Sequence, residues 1–280
     1  MAKVSEESKK RYAQKIQEFK AQLEAIGKRQ KKAEAAAAAA SGDGGYNRLI
    51  SANESLNLVS HYVLMNSISV ALLGIKNENF LNEARKTCYR CIIDLEKAVS
   101  AGIDVPFSDY ADKLALIDAF GDKARYGLVR KLSLAIDTVQ EEYGANSKWR
   151  WSFVELEGRY ATIAKNFINM KTFVSKMDPN VDGYEIRMAH LKLVQQLLRT
   201  AADRYREKYE LSTHRRDDMK LGIDYLQALR RMLVALGETT EAEVTKRKAE
   251  TWSTKLESDS KKTDAAKKRS AQKGGAASRR

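Results

Sequence analysis

Only two prolines, Pro106 and Pro179, interrupt 280 residues, and around them apolar side chains recur at steps of three and four almost throughout. A β-rich chain of this length needs far more turn residues, whereas steps of three and four place side chains on one face of an α-helix. The pattern predicts an all-α fold: a multi-helix bundle of about seven to eight helices, some stacked as solenoid-like pairs. No repeat recurs in register, and no motif set assigns the chain to a family by inspection.

The first helix is expected over residues 5–40. Tyr12, Ile16, Phe19, Leu23 and Ile26 step by 4, 3, 4 and 3, a single coiled-coil-like seam. Beyond Ile26 the seam gives way to Lys28-Arg29-Gln30-Lys31-Lys32 and to six alanines, Ala35 to Ala40. Alanine favours helix but offers little surface to bury. Ser41-Gly-Asp-Gly-Gly45 then reads as a flexible joint. The expectation is an N-terminal arm (1–40) and linker (41–45), tethered to a helical body over 46–237. A thin amphipathic helix (238–257) with Val244, Trp252 and Leu256 follows, then a disordered basic tail (258–280).

Within the body, Leu49, Ala52, Leu56, Val59 and Val63 form one stripe and Leu58, Tyr62 and Met65 another, the mark of a helix enclosed on several sides. Leu56 to Ile75 contains no charged residue and is long enough to cross a bilayer. It also carries Asn57, Ser60, His61, Asn66, Ser67 and Ser69, a polar load that disfavours lipid. A buried central helix is therefore expected, without integral membrane insertion. A further helix over 109–143, breakable at Gly121, precedes the longest seam: Leu156, Tyr160, Ile163, Phe167, Met170, Val174 and Met177. Leu191, Val194, Leu198, Ala201 and Tyr205 mark one more helix, and Tyr225, Leu229, Met232 and Leu236 another.

Charge is concentrated at the ends. Residues 1–40 hold ten basic and five acidic residues, and 245–280 hold twelve and four, so +5 and +8 account for the whole formal charge of +13. Residues 41–244 balance at 28 against 28. A neutral body with basic ends can attract phosphates, acidic proteins or an anionic surface without sequence preference. The candidate contacts are Lys261, Lys262, Lys267, Lys268, Arg269, Lys273, Arg279 and Arg280. No aromatic residue follows Trp252 to stack on bases.

Catalytic patterns are missing. Cys88 and Cys91 match C-x-x-C, but no second ligand pair exists for a structural zinc site, and both fall mid-helix on the stripe of Ala84 and Leu95. Buried structural cysteines are the expectation. His61 reads as a hydrogen-bonded core residue, and His214 with Asp217 and Asp218 as a solvated helix start. Gly42-Asp-Gly-Gly45 lacks the lysine of a phosphate loop, and Glu155 and Glu157 point to different sides of one helix. No metal, cofactor or catalytic residue is assigned.

The sequence thus favours a non-enzymatic interaction or scaffold protein. Its candidate contacts are the seam residues Tyr12, Ile16, Phe19, Leu23 and Ile26, together with Trp149, Trp151 and Trp252. A protein partner or self-association is expected. The alternative is a nucleic-acid or ribonucleoprotein accessory protein held by its basic ends. Two cysteines and no apolar leader suggest a cytoplasmic setting.

Overall fold

The computed structural model describes residues 4–40 and 44–277, those from 263 onward as backbone alone. Every regular element among the described residues is helical. Ten α-helices follow in order: α1 (Glu6–Ala39), α2 (Gly45–Leu73), α3 (Glu78–Ala98), α4 (Ala111–Leu116), α5 (Asp122–Tyr143), α6 (Arg150–Asn166), α7 (Met170–Ser175), α8 (Tyr184–Lys208), α9 (Arg216–Ala235) and α10 (Thr239–Ala277). A 3₁₀ turn at Phe107–Asp109 and a π-turn at Tyr209–Thr213 complete the set. The count exceeds the expected seven or eight because two long periodic stretches are broken. Gly121 caps α5 and separates it from the short α4. The seam from Leu156 to Met177 is cut after Phe167, where the Asn169 side chain accepts from the Thr172 N–H and starts α7. Val174 and Met177, expected on the buried seam, are exposed.

The chain divides inside α8 into two compact units, residues 1–194 and 195–280. In the first unit α2, α3, α5 and α6 form a four-helix core. Arg48 and Ser51 reach Asp94 while Asn66 reaches Asn77, so α2 and α3 run antiparallel. Lys131 bonds Asn53 and Asn57, and Glu142 accepts from Asn66 at 2.6 Å, so α2 and α5 run in the same direction. The bidentate Arg159–Glu96 pair and the Tyr89–Ser152 bond align α3 with α6. Residues 160–168 are buried without interruption, as befits a segment enclosed on all sides.

Helix α1 packs along α2 as the other half of an antiparallel hairpin. Ile16 and Ile26 are buried, and Tyr12, Phe19 and Leu23 are half-buried. Phe19 meets the His61 ring edge-on, Arg29 pairs with Glu54, and Gln30 donates to Ser55. The seam does not stop at Ile26. It continues through buried Gln30, Ala33 and Ala37. There the small side chains let two backbones approach, and a Cβ added at Gly44 would lie 2.5 Å from the Ala37 carbonyl oxygen. The expected tether is thus a packed hairpin at both described ends. Of the linker, residues 41–43 lie outside the described residues, Gly44 caps α2 and Gly45 begins it.

The second unit joins the C-terminal part of α8 to α9 and α10. Tyr205 stacks on Tyr225 at 5.6 Å, and Arg199 and Asp203 on α8 and Glu210 in the π-turn pair with Glu241, Lys248 and Lys255 on α10. The buried face of α10 is Ala242, Thr245, Ala249, Trp252 and Leu256, and Val244, expected on that face, is 60% exposed. The backbone of α10 runs on to Ala277. Its alanines and lysines are strong helix formers, although Leu256 is its last large apolar residue.

Seating α1 on α2 has a measurable consequence. Ile16→Asp puts a carboxylate into a buried apolar contact and should cost about 3 kcal/mol of unfolding free energy. Chemical denaturation followed by helix content checks this. A midpoint equal to that of the unmodified chain would make α1 a tethered arm after all.

Candidate binding surfaces

The residues expected to carry contacts are distributed unevenly. The α1 seam is taken up by α2, as described. Trp252 is 3% exposed, between the Arg206 guanidinium at 5.2 Å and the Lys248 ammonium at 5.0 Å, with Gly222 of α9 opposite its ring. It is core, not contact surface. An amphipathic helix with three large apolar residues must use the largest of them to pack, which the sequence reading undervalued. Trp149 and Trp151 are both half-buried. Trp149 covers neighbouring helix ends, with Arg85 3.9 Å above its ring and Tyr143 at its edge. Trp151 is covered by Arg150 at 4.7 Å.

Lys261 and Lys262 are exposed on α10. Lys267, Lys268, Arg269 and Lys273 fall on its backbone-only part, and Arg279 and Arg280 lie outside the described residues.

The groups able to do proton or thiol chemistry are withdrawn from water. Burial pushes the Cys88 thiol up to about 12 and holds Cys91 well above its ordinary range. Both cysteines are free and buried on α3, as their position on the apolar stripe suggested. His61 is half-buried at the α1–α2 contact, 2.8 Å from the Asn57 carbonyl and 3.0 Å from Gln22. His214 is exposed, with a left-handed backbone (φ 49°) closing the π-turn. His190 is enclosed, donates from Nε2 to the Ala164 carbonyl at 3.0 Å, and meets Tyr126 on α5. Desolvation lowers its pKa to about 4, outweighing the Ala164 bond and Asp122, while Arg125 lowers it further. No group of three or more histidines, cysteines or carboxylates able to hold a metal occurs among the described residues.

Two surfaces escaped the sequence reading. The first is the outer face of α2, the one helix among the described residues long and apolar enough to cross a membrane, with a mean hydropathy of 1.4. Leu64 and Ala71 are exposed there, two turns apart on one face, with half-buried Ile68 between them and Ile75 just beyond the helix. The sequence marked this stretch as uncharged, but periodicity alone did not say which side remained uncovered. The second is a cleft of about 380 Å³ between the first turns of α2 and α5. Tyr46, Leu49, Ile50, Phe120, Ala124 and Leu128 supply apolar walls, Gly127 lies on the α5 side, and Lys131 with Asn53 closes one end. Such a pocket requires the pairing of helices some 75 residues apart in sequence, which no local pattern encodes.

Fold and surfaces together define an all-α protein of two helical units. The chain belongs to the TP0443 family, whose model matches residues 8–260 and so spans both units. Neither the comparison with curated proteins nor that with solved structures gives a match.

His190 makes stability depend on pH. Its folded pKa lies below the unfolded value of 6.5, so its contribution is complete above pH 6.5 and is lost as pH falls towards about 4. The loss should approach about 3 kcal/mol over that window. Denaturation midpoints at pH 7, 5.5 and 4.5 measure it, and His190→Gln should remove that part of the slope. An unchanged slope would place the acid sensitivity elsewhere.

Proposed function

We propose that this protein is a helical scaffold that acts by contact rather than by catalysis, and that it assembles through the outer face of α2. The observation that carries the reading is the uncharged strip of Leu64, Ile68 and Ala71, continued by Ile75. An exposed strip of this kind is stabilised by a second apolar surface, and a second copy supplies one without opposing like charges. The burial of both cysteines and His190 supports the same reading, since a nucleophile or general base must reach its substrate.

Sedimentation equilibrium tests it. The full chain is expected above monomer mass, and Leu64→Glu with Ala71→Glu is expected to return it to monomer with an unchanged melt, because both sites face outward. A chain that is monomeric at all accessible concentrations, or a double variant that associates as strongly, would overturn assembly through this face. Extraction only with detergent would point instead to a lipid surface.

A second reading rests on α10, which carries exposed Lys261 and Lys262 past its last large apolar residue. Here the protein is an accessory factor held on nucleic-acid phosphates. Affinity for nucleic acid should then fall steeply with salt, with about one counterion released per neutralised phosphate. Removal of residues 258–280 should abolish binding. Salt-independent binding, or binding that survives the truncation, would exclude this mechanism.

A further inference from the structure

The cleft between α2 and α5 joins apolar walls to a single charge. Its walls are apolar, and Lys131 is the one charged residue lining it. An ammonium has three N–H donors. Lys131 gives one to Asn53 Oδ1 and one to Asn57 Oδ1, each at 2.8 Å, so the two amides fix its position and one donor remains. Burial pushes the Lys131 pKa down from its ordinary value against the opposing pull of Glu54 and Cys91. Glu54 itself is engaged by Arg29 in a two-point pair, and its carboxylate is therefore committed to α1.

Gly127 is the second observation. A glycine inside a helix costs about 1 kcal/mol relative to alanine, and is normally required by a close approach or a left-handed backbone. Neither applies here. A Cβ built at Gly127 meets nothing within 4 Å, and its φ is not positive. Packing therefore gives no reason for the missing side chain. What the missing side chain does is leave the α5 wall of the cleft open.

We propose that the α2–α5 cleft is a binding site for a small amphiphilic carboxylate, its alkyl body against Tyr46, Ile50, Phe120 and Leu128 and its carboxylate on the Lys131 ammonium. The volume, about 380 Å³, falls in the range of small-molecule pockets. An apolar body matches the walls, and a single anionic head matches the single cation. A cationic amphiphile would set its charge against Lys131, and a neutral one would leave the last donor without an ionic partner. Exposed Ile50 and Tyr46 stand at the mouth. This site does not depend on assembly through α2, because its walls lie at the opposite end of that helix from Leu64 and Ala71.

Decanoate, decanol and decyltrimethylammonium test the assignment, titrated calorimetrically into the full chain below the micellar concentrations of the two ionic probes and the solubility limit of decanol. Decanoate is expected to bind saturably at one site, about tenfold or more tighter than decanol, the value of a charge-assisted hydrogen bond. The cationic probe should bind more weakly than either. Gly127→Leu fills the cleft from a position with open space and improves helix propensity, so it should abolish binding with an equal or higher melting temperature. Lys131→Met should bring decanoate down to the affinity of decanol. Absence of saturable decanoate binding, equal affinity for decanoate and decanol, or full binding by Gly127→Leu would each overturn the proposal. The wild-type comparison of head groups holds even if Lys131→Met fails to fold.

Discussion

Asp94 is where the architecture of the first unit is fixed. It is buried on α3, and takes a hydrogen bond from Ser51 at 2.6 Å and an ion pair from Arg48 at 3.1 Å, both from α2. A buried carboxylate left without partners costs several kcal/mol, so α2 and α3 are held to the one register that supplies them. The same helix then sets its other neighbours with polar groups on different faces. Asn66 accepts from the Asn77 N–H and donates to Glu142, Ser55 takes the Gln30 amide, and Asn53 and Asn57 hold Lys131. A helix that buries apolar surface on several sides has little to resist sliding, since one leucine packs nearly as well as the next. The polar residues scattered along α2 define its alignment with α1, α3 and α5.

Polar residues along α2 are answered within the protein. Each of Ser51, Ser55, Asn66 and Ser69 has a named protein partner, so the polar load is satisfied by neighbouring helices and by the chain that follows. The stripes through Leu49 and Val63 and through Leu58 and Met65 were legible because each element of a 3.6-residue period was present. So were the stripe of α8 and the burial of Cys88 and Cys91. In each case the deciding physics is local: residues on one face are buried together.

What the sequence concealed depended on contacts between distant segments. The alanines after Ile26 looked too poor in surface to pack, yet Ala33 and Ala37 are buried, and Gly44 lets the start of α2 come against the Ala37 backbone. Small residues exchange buried area for approach distance, and a count of large apolar side chains misses that exchange. Trp252 was expected as a contact residue as well as on the apolar face of α10, yet it is buried in the gap that Gly222 leaves on α9, whereas Val244 is exposed. Beside the break after Phe167, the Asn166 side-chain amide donates to the carbonyls of Ser100 and Gly102 and ties the end of α6 to the loop after α3. None of these partners is within reach of a local periodicity argument.

The two glycines Gly127 and Gly222 show how the same residue type separates structure from function. Gly222 is required by packing: a Cβ there would lie 3.1 Å from the Ala202 carbonyl oxygen and 3.3 Å from the Trp252 ring, so its absence admits the tryptophan. Gly127 sits in an equally regular helix with nothing to make room for within the chain. Helix propensity penalises both by the same amount, but only the first penalty is offset by burial elsewhere in the protein. Gly27 on α1 has the same open space beside it, so openness alone marks no site; at Gly127 it coincides with a cleft. The space beside Gly127 is bounded by apolar walls and ends at a positioned ammonium. Those two features specify what kind of molecule could supply the missing contact.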